Sequence, residues 1–524
     1  MGLYLNKDGA EFESYLYDDI FIDKSLLIKT VNNNLTKKSS KYMCVTRPRR
    51  FGKSLALSML NAYYSKGCDS KELFKGLKIE HDESYLKHLN KHNVIWIDMA
   101  DLYTNLDDCN TFVKSLKSKI FRDLKKEYPN IITDEMLLNE AFTFIYNETK
   151  DRFIFLIDEW DVIFREEEHN KKLCDEYIKF LRGLFKSGSV SNCIDLVYMT
   201  GILPIKRYST ESALNMFEEY NMIDPQGLAE FFGFTEEETK DLCDKYNVDF
   251  NKVKTWYDGY KLNGIELYNP RSVVKVVTTK KFGDYWTETS AIESIIKYLK
   301  YENGDLKDVL ASLMTGSETQ VDVSLFRNDL TQIYSADSAL TVLIHLGYLA
   351  YDEVTKSCYI PNYEILKEFE RAVKVIDWKE YSDPIKTSLD LYDATLKGDL
   401  EFINKTLDYN HQLFSTMYSK NTEGVLQTIV LLSYFNCNDF YYIMKEPSVS
   451  TGRADLVFVP KDRTRIPMIV ELKVNSTVDT ALNQIKDKKY VNLFDGYHGK
   501  VLFAGITYDS KTLTHDSTIE YIEI

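Results

Sequence analysis

A five-residue apolar run, Tyr42–Thr46 (YMCVT), feeds into Arg47-Pro48-Arg49-Arg50-Phe51-Gly52-Lys53-Ser54 and then into a helical stretch from Leu55 to Tyr64. Strand, tight loop, Gly-Lys-Ser and helix in that order are the parts of a P-loop. Free backbone N–H groups at the helix N-terminus meet anionic oxygens, and Gly52 lets the backbone come close to them. Lys53 is then placed for the β- and γ-phosphates of a nucleoside triphosphate, and the Ser54 hydroxyl for Mg²⁺. The expected cradle is Arg49, Arg50, Phe51, Gly52, Lys53, Ser54 and Leu55. One departure stands out: the first position of GxxxxGK[ST] is Arg47, which lacks the backbone freedom of glycine. Arg49 and Arg50 either add positive charge near the phosphates or pair with acidic neighbours. The plain alternative is a Gly-Lys-Ser in a basic surface turn.

The neighbouring pattern argues against that alternative. Phe153–Ile157 (FIFLI) is an apolar strand ending in Asp158-Glu159, followed by Trp160 and Asp161. A carboxylate at the tip of a buried strand beside a phosphate loop is what Mg²⁺ coordination requires. Asp158 is expected to hold the ion through its water shell, and Glu159 to polarise an attacking water. Asp161 reads as structural, a partner for one of the loop arginines. Ile194–Thr200 (IDLVYMT) puts Thr200 where a γ-phosphate sensor sits, or where a cap precedes Gly201. With Val94–Asp98 (VIWID), these near-continuous apolar strands separated by helices predict a parallel sheet covered on both faces.

The chain has 524 residues, 44% hydrophobic and 28% charged. Its length suits two to four domains at roughly 150 residues each, and its composition excludes wholesale disorder. The formal charge of −15 argues against indiscriminate coating of nucleic acid but leaves room for a local basic groove. The N-terminus lacks a signal-peptide pattern, and no apolar run reaches about 18 residues, so no membrane span is expected. Eight scattered cysteines without a CxxC pair indicate neither a disulfide framework nor a zinc cluster, and suit a reduced, cytoplasmic interior.

Three segments are expected: 1–225 around the phosphate loop, a mostly helical middle region at 226–380, and an α/β segment at 381–524. In the middle, Thr235 is a natural N-cap before Glu236, Glu237 and Glu238. A helix over Ala339–Leu346 precedes a hairpin of Tyr348–Tyr351 with Cys358–Ile360. Helix then hairpin suits a winged-helix module, as it suits other short helix-plus-hairpin units. In the last segment Ala454–Val459 and Pro467–Val474 form a hairpin. Asp455 opens its first strand, and Glu471 and Lys473, two apart, share one face of its second. Two carboxylates and a lysine are the parts of a metal-assisted phosphodiesterase. Asp455 and Glu471 are the metal ligands, and Lys473 orients water and stabilises developing negative charge. Gln484, Lys488 and Tyr490 follow on a helix as contacts for a sugar–phosphate backbone, and Val501–Thr507 closes the sheet. The bland alternative is an exposed edge hairpin with a solvated Glu–Lys pair.

TRPRRFGKS, with FLIDEWD and MTGILPI, resembles the bacterial and archaeal AAA-ATPase-like family, whose members join a P-loop ATPase to a C-terminal nuclease-like domain. WYDGY (256–260), Tyr268-Asn269-Pro270 and Tyr285-Trp286 ahead of Thr289-Ser290 are similar to it as well. Within that resemblance, arginine at position 47 is usual. WYDGY reads as interdomain packing or, more sharply, as a base pocket. Asp455 with Glu471-Leu472-Lys473 resembles the PD-(D/E)xK nuclease core, with Ala454 where a proline is commonly drawn. That resemblance also implies Glu423 as a further acidic residue near the metal.

Two functions follow. The first is an Mg-ATP-binding ATPase coupled to metal-dependent cleavage of DNA or RNA. The second is a nucleotide-controlled interaction protein whose nuclease-like domain holds nucleic acid or a partner without cutting. The complete Asp455/Glu471/Lys473 set favours the first, and the acidic net charge leans to the second. A homo-oligomer is implied by resemblance only, with Arg207 a guess for a residue donated to a neighbour.

Overall fold

The computed structural model describes residues 2–205, 214–286, 292–299, 304–325, 335–414, 422–449, 452–462, 464–487, 490, 494 and 497–524. By its contacts the chain divides into two units, residues 1–298 with 320–367, and residues 299–319 with 368–524.

The first unit is built on a parallel sheet of β1 (Tyr42–Thr46), β2 (Asn93–Asp98), β3 (Phe153–Asp158), β4 (Ile194–Gly201) and β5 (Glu218–Tyr220), in the order β2-β3-β4-β1-β5. Its first four strands match the sequence expectation to within a residue at each end. Alternate side chains feed separate cores on the two faces. Phe153, Phe155 and Ile157 enter one, and Ile154 and Leu156 the other, so no face of β3 meets water and a continuous apolar run is required. Helix α1 (Lys53–Tyr64) follows β1, and helix α2 (Met99–Thr104) follows β2.

Residues 226–286 add helices and a small antiparallel sheet of Phe234–Thr235, Tyr260–Leu262 and Ile265–Tyr268, which the mostly helical expectation lacked. Thr235 is the N-cap foreseen: its hydroxyl accepts from the Glu238 N–H at 3.3 Å, and Glu238 accepts from the Thr235 N–H at 2.9 Å. Helix α3 (Pro270–Thr279) starts from an Asn269 cap. Helix α4 (Ala336–Leu346) ends at Gly347 and is followed by the expected hairpin, with Tyr351 opposite Cys358.

In the second unit, helix α5 (Glu423–Ser433) precedes a sheet of β6 (Tyr441–Lys445), β7 (Leu456–Pro460), β8 (Met468–Val474), β9 (Lys500–Asp509) and β10 (Thr514–Glu523), in that order. Helix α6 (Val478–Asp487) joins β8 to β9, which run parallel, while the other pairs are antiparallel. Val470 and Leu472 enter one core and Ile469 the opposite one, so Glu471 and Lys473 share the Ile469 face. No described helix is long and apolar enough to cross a membrane, and all eight cysteines are free.

Candidate functional site

The phosphate loop leaves β1 and reaches α1 through two left-handed residues, Arg50 at φ +67° and Gly52 at φ +88°. Gly52 is the N-cap of α1 and has open space where a Cβ would stand. Lys53, 5% exposed, folds back to donate to the Arg47 and Pro48 carbonyls, both at 3.0 Å. Burial pulls its ammonium below the ordinary lysine value, opposed by Glu159, Asp158 and Asp161.

Arg47, which occupies the glycine position, is fully buried. Its guanidinium donates to the Thr46 and Tyr220 carbonyls, both at 2.8 Å, and reaches Leu228 O at 3.5 Å. It also lies 5.2 Å from the centre of the Phe232 ring. The arginine bolts β1 to β5 and the 228–232 turn, and burial lowers its pKa to about 10.

Asp158 ends β3 and is 3% exposed. It accepts from the Thr200 hydroxyl and from the Glu159 N–H at 3.0 Å, and the Ser54 hydroxyl lies near enough to favour its charged form. Burial raises its pKa, and the two hydroxyls oppose that rise. Thr200 is therefore neither a turn cap nor an isolated polar tip: it joins β4 to the carboxylate on β3. Glu159 sits in left-handed backbone, φ +50°, and forms an ion pair with Arg165. Burial pushes its carboxyl up, but Lys53, Arg165 and Arg49 outweigh it and hold it below the ordinary value. Asp161 pairs with Arg165 at 3.1 Å rather than with a loop arginine, and accepts the Ile202 and Leu203 N–H groups at 3.2 and 2.9 Å. Gly201 makes room for this turn, since a Cβ there would stand 2.5 Å from Trp160.

Arg49 through Leu55, Asp158 and Glu159 all line one cavity of about 930 Å³, at the large end of the roughly 300–1,000 Å³ typical of ligand pockets. Its lining also includes the apolar Ile20, Ile22, Phe234, Pro270 and Val274, together with Arg271. Among the lining residues that escaped the sequence reading are Asp98, Arg165 and Arg271. Asp98 had the same signal as Asp158, a carboxylate at the tip of a buried strand. It caps α2 through the Ala100 and Asp101 N–H groups at 2.9 and 3.0 Å, and burial raises its pKa. Arg165 had an i,i+4 spacing from Asp161. WYDGY does not line the cavity: Trp256 meets Tyr363 edge-on with centroids 4.7 Å apart, and the Tyr257 hydroxyl donates to Gly283 O at 3.0 Å. Arg207, Thr289 and Ser290 lie outside the described residues.

In the second unit Asp455 stands just before β7 and accepts the Leu472 N–H at 2.7 Å. Lys473 bonds Glu471 at 3.0 Å and the Leu472 carbonyl at 2.9 Å, and stands 3.7 Å from Asp455. Glu471 is fully buried, which excludes a solvated edge pair, and its Oε2 has no hydrogen-bond partner. Burial, then the Asp455 charge, raises its pKa to about 7. Burial raises Asp455 too, with Glu423 and Glu446 adding to the rise. Glu423, exposed at the first turn of α5, therefore faces the cluster electrostatically. Glu446, in left-handed backbone at φ +46°, was missed; its N–H donates to Asp455 O at 3.0 Å. Gln484 lies on α6 near Tyr490 and counters the burial-driven rise of the Tyr490 pKa, and the Tyr490 hydroxyl donates to Arg453 O. Lys488 lies outside the described residues.

Both centres fit Mg²⁺ by donor type, hard carboxylate and hydroxyl oxygens. The orphaned Glu471 Oε2 beside Asp455 is the most direct sign. Among the described residues, no group of three or more His, Cys, Asp or Glu side chains is preassembled around a point.

Residues 11–210 match the family model described as Predicted AAA-ATPase, and residues 421–518 match that of the PD-(D/E)XK nuclease superfamily. An uncharacterized protein in the vnfD 5′ region of Azotobacter chroococcum mcd 1 is 21% identical over 502 residues, 90% of each chain. Among solved structures, the Aeropyrum pernix ORC2 protein in its ADPNP–ADP complexes aligns at 10% identity and TM-score 0.29, over 69% of this chain and 97% of that one. Cdc6p from Pyrobaculum aerophilum aligns at 10% identity and TM-score 0.25, over 69% and 98%. The A. pernix ORC1 protein in complex with DNA aligns at 10% identity and TM-score 0.24, over 94% and 99%. The chain thus joins an AAA-ATPase-like segment to a PD-(D/E)XK nuclease-like segment, as the two sequence resemblances imply.

Proposed function

We propose that this chain is an Mg-ATP-dependent ATPase whose C-terminal segment cleaves nucleic acid with a divalent metal. One observation carries the first half: the buried Asp158 carboxylate, held by the Thr200 hydroxyl, lines the same cavity as Gly52, Lys53 and Ser54 at the start of α1. A metal held there would supply positive charge to offset that of the phosphates. The amides of 50–54 and Lys53 bind the phosphate oxygens, with Lys53 exchanging two loop carbonyls for the phosphates. Asp158, with Ser54, holds the metal's inner or water shell, and Thr200 fixes the orientation of that carboxylate. Glu159, kept anionic by Lys53, Arg165 and Arg49, takes the proton of the attacking water. The apolar residues of the lining receive the base.

In the second centre Asp455 and Glu471 would hold the metal, which would supply Lewis-acid stabilisation of the charge on the phosphodiester. Glu471 gives up a proton to do so. Lys473, released from Glu471, stabilises the charge that develops on the phosphate. Gln484, behind Tyr490, steadies the wall of the site, and Glu423 adds negative potential. DNA or RNA is the partner, and the cytoplasm is the compartment that suits eight free cysteines.

The test is cleavage of plasmid DNA and of single-stranded RNA with Mg²⁺ or Mn²⁺, run with ATP, with a non-hydrolysable analogue and without nucleotide. Cleavage that depends on metal and changes with nucleotide is expected. Metal-independent cleavage, or none with either substrate at micromolar protein, refutes the nuclease half. ATP turnover measured alongside decides the other half.

A further inference from the structure

The aromatic motifs that miss the cavity converge instead on the phosphate loop. The Trp286 indole N–H donates to the Arg49 carbonyl at 2.9 Å. The Phe51 ring meets Tyr260 edge-on, with centroids 5.4 Å apart, and the Tyr260 hydroxyl donates to Gly347 O at 2.6 Å. Gly347, at φ +88°, abuts Pro48 so closely that a Cβ would stand 2.7 Å from the proline ring. The loop is thus gripped at Pro48, Arg49 and Phe51 by residues some 200 to 300 positions away in the chain.

Trp286 is itself firmly placed. It is 1% exposed, packs on Tyr348 at 5.2 Å, and its backbone N–H donates to Glu364 at 2.6 Å. The other Glu364 oxygen accepts the Ser272 hydroxyl of α3 at 2.8 Å. One residue back, the Tyr285 carbonyl accepts from Arg271, which lines the cavity, at 2.9 Å. The pair Tyr285-Trp286 therefore touches the loop on one side and a cavity arginine on the other.

The bond to Arg49 has a specific consequence. The Arg49–Arg50 peptide is trans, so the Arg50 N–H points opposite to the Arg49 carbonyl. Anchoring that carbonyl fixes the direction of the Arg50 amide, the first of the amides that lead through Arg50 and Gly52 into α1. A free carbonyl can rotate into the cavity, where it repels phosphate oxygens.

We propose that Trp286 is a positioning residue for the nucleotide site: its indole N–H holds the Arg49–Arg50 peptide in the orientation that receives phosphate. Grip on the triphosphate is then set by Tyr260, Trp286 and Gly347 as well as by the loop. This rests on the nucleotide-binding reading above. By linkage, nucleotide binding tightens the same contacts and stabilises the segment that makes them.

The experiment measures binding of ATP and of adenosine to the full-length protein, its Trp286→Phe variant and its Tyr260→Phe variant, together with melting temperatures. Trp286→Phe keeps an aromatic ring and loses the donor. Its ATP affinity is expected to fall about fivefold, as removal of one hydrogen bond allows, with adenosine affinity and melting temperature unchanged. A nucleotide-dependent change in tryptophan emission should be present in the wild type and reduced in Trp286→Phe. Tyr260→Phe should show a smaller loss, about twofold and again selective for ATP. Equal ATP affinity in Trp286→Phe and wild type overturns the proposal, as does equal loss of ATP and adenosine with a lowered melting temperature. If Trp286→Phe does not fold, Tyr260→Phe decides: an ATP-selective loss supports the proposal and unchanged affinity overturns it. A wild type that binds no ATP overturns the nucleotide reading and this inference together.

Discussion

Asp158-Glu159 in one unit and Asp455 with Glu471 in the other are carboxylate sets at buried strands, yet they settle their charge in opposite ways. In the first, each acid already has a partner: the Thr200 hydroxyl on Asp158, and Arg165 on Glu159. Glu159 is held below its ordinary pKa as a result. In the second, a single lysine serves both acids, one Glu471 oxygen is orphaned, and Glu471 is pushed up to about 7. A site that balances its own charge is organised before its ligand arrives. A site that protonates instead is completed by the cation it lacks.

The sharpest way to break the contrast is to remove the cation from each. Lys53→Ala should weaken ATP binding by about 100-fold or more, because three phosphate charges lose their buried counter-charge. Nucleic-acid cleavage without nucleotide should survive. Lys473→Ala and Asp455→Ala should each cut cleavage by about 100-fold or more while ATP affinity stays at the wild-type value. Gel-based cleavage and equilibrium nucleotide binding read both arms. Loss of both activities in any one variant would mean that the difference between the centres is not local. Glu159→Gln sharpens the first arm: binding should stay within about threefold and turnover fall about 100-fold, since the metal's ligands are untouched.

The sequence carried the parts of each site that are adjacent in the chain or lie at strand tips. Gly52-Lys53-Ser54, Asp158-Glu159 and Glu471-Leu472-Lys473 are readable because local order places them: a loop meets a helix, a strand ends, or two residues share a face. Arg47 was readable as a departure from the glycine pattern but not as a bolt, because its partners are carbonyls at 46, 220 and 228. Carbonyls carry no side-chain signal. Glu446 was hidden for a related reason, since it reaches Asp455 across a strand pairing rather than along a strand. The last strand, Thr514–Glu523, was missed because its exposed edge is largely polar, and a one-sided edge strand lacks the apolar run that marked the others. Asp98 could have been found by applying the Asp158 argument to VIWID.

A smaller effect tests the second centre through pH. The Glu471 carboxyl is raised from the ordinary 4.5 to about 7, so in the metal-free protein it is neutral at pH 6 and ionised at pH 8. Between those values the folded state binds more protons than the unfolded one, and metal-free stability declines as pH rises through 7. Metal binding must release that proton, so apparent Mn²⁺ or Mg²⁺ affinity should climb up to about tenfold per pH unit below 7 and level off above it. Metal-induced shifts in melting temperature, recorded from pH 5.5 to 8.5, measure this, and Glu471→Gln should abolish both the shift and its pH dependence. A flat profile in the wild type would mean that the two centres balance charge alike.

The smallest expected change probes how complete the balance is in the first centre. Asp98 lines the same cavity, its burial raises its pKa, and its cap is made by backbone N–H groups, so its charge adds unfavourable potential there. Asp98→Asn keeps an N-cap of equal quality for α2, so melting temperature should hold. Removing one negative charge several ångströms from a triphosphate is worth about 1 kcal/mol at the effective dielectric of a half-open site. Metal-free ATP should therefore bind about two- to fivefold tighter, with the gain shrinking at high salt. With Mg²⁺ present the gain should vanish, because the ion already offsets the repulsion. If Asp98→Asn instead weakens Mg-ATP binding, Asp98 is a ligand of the metal's water shell, and the first centre, like the second, is completed by its cation.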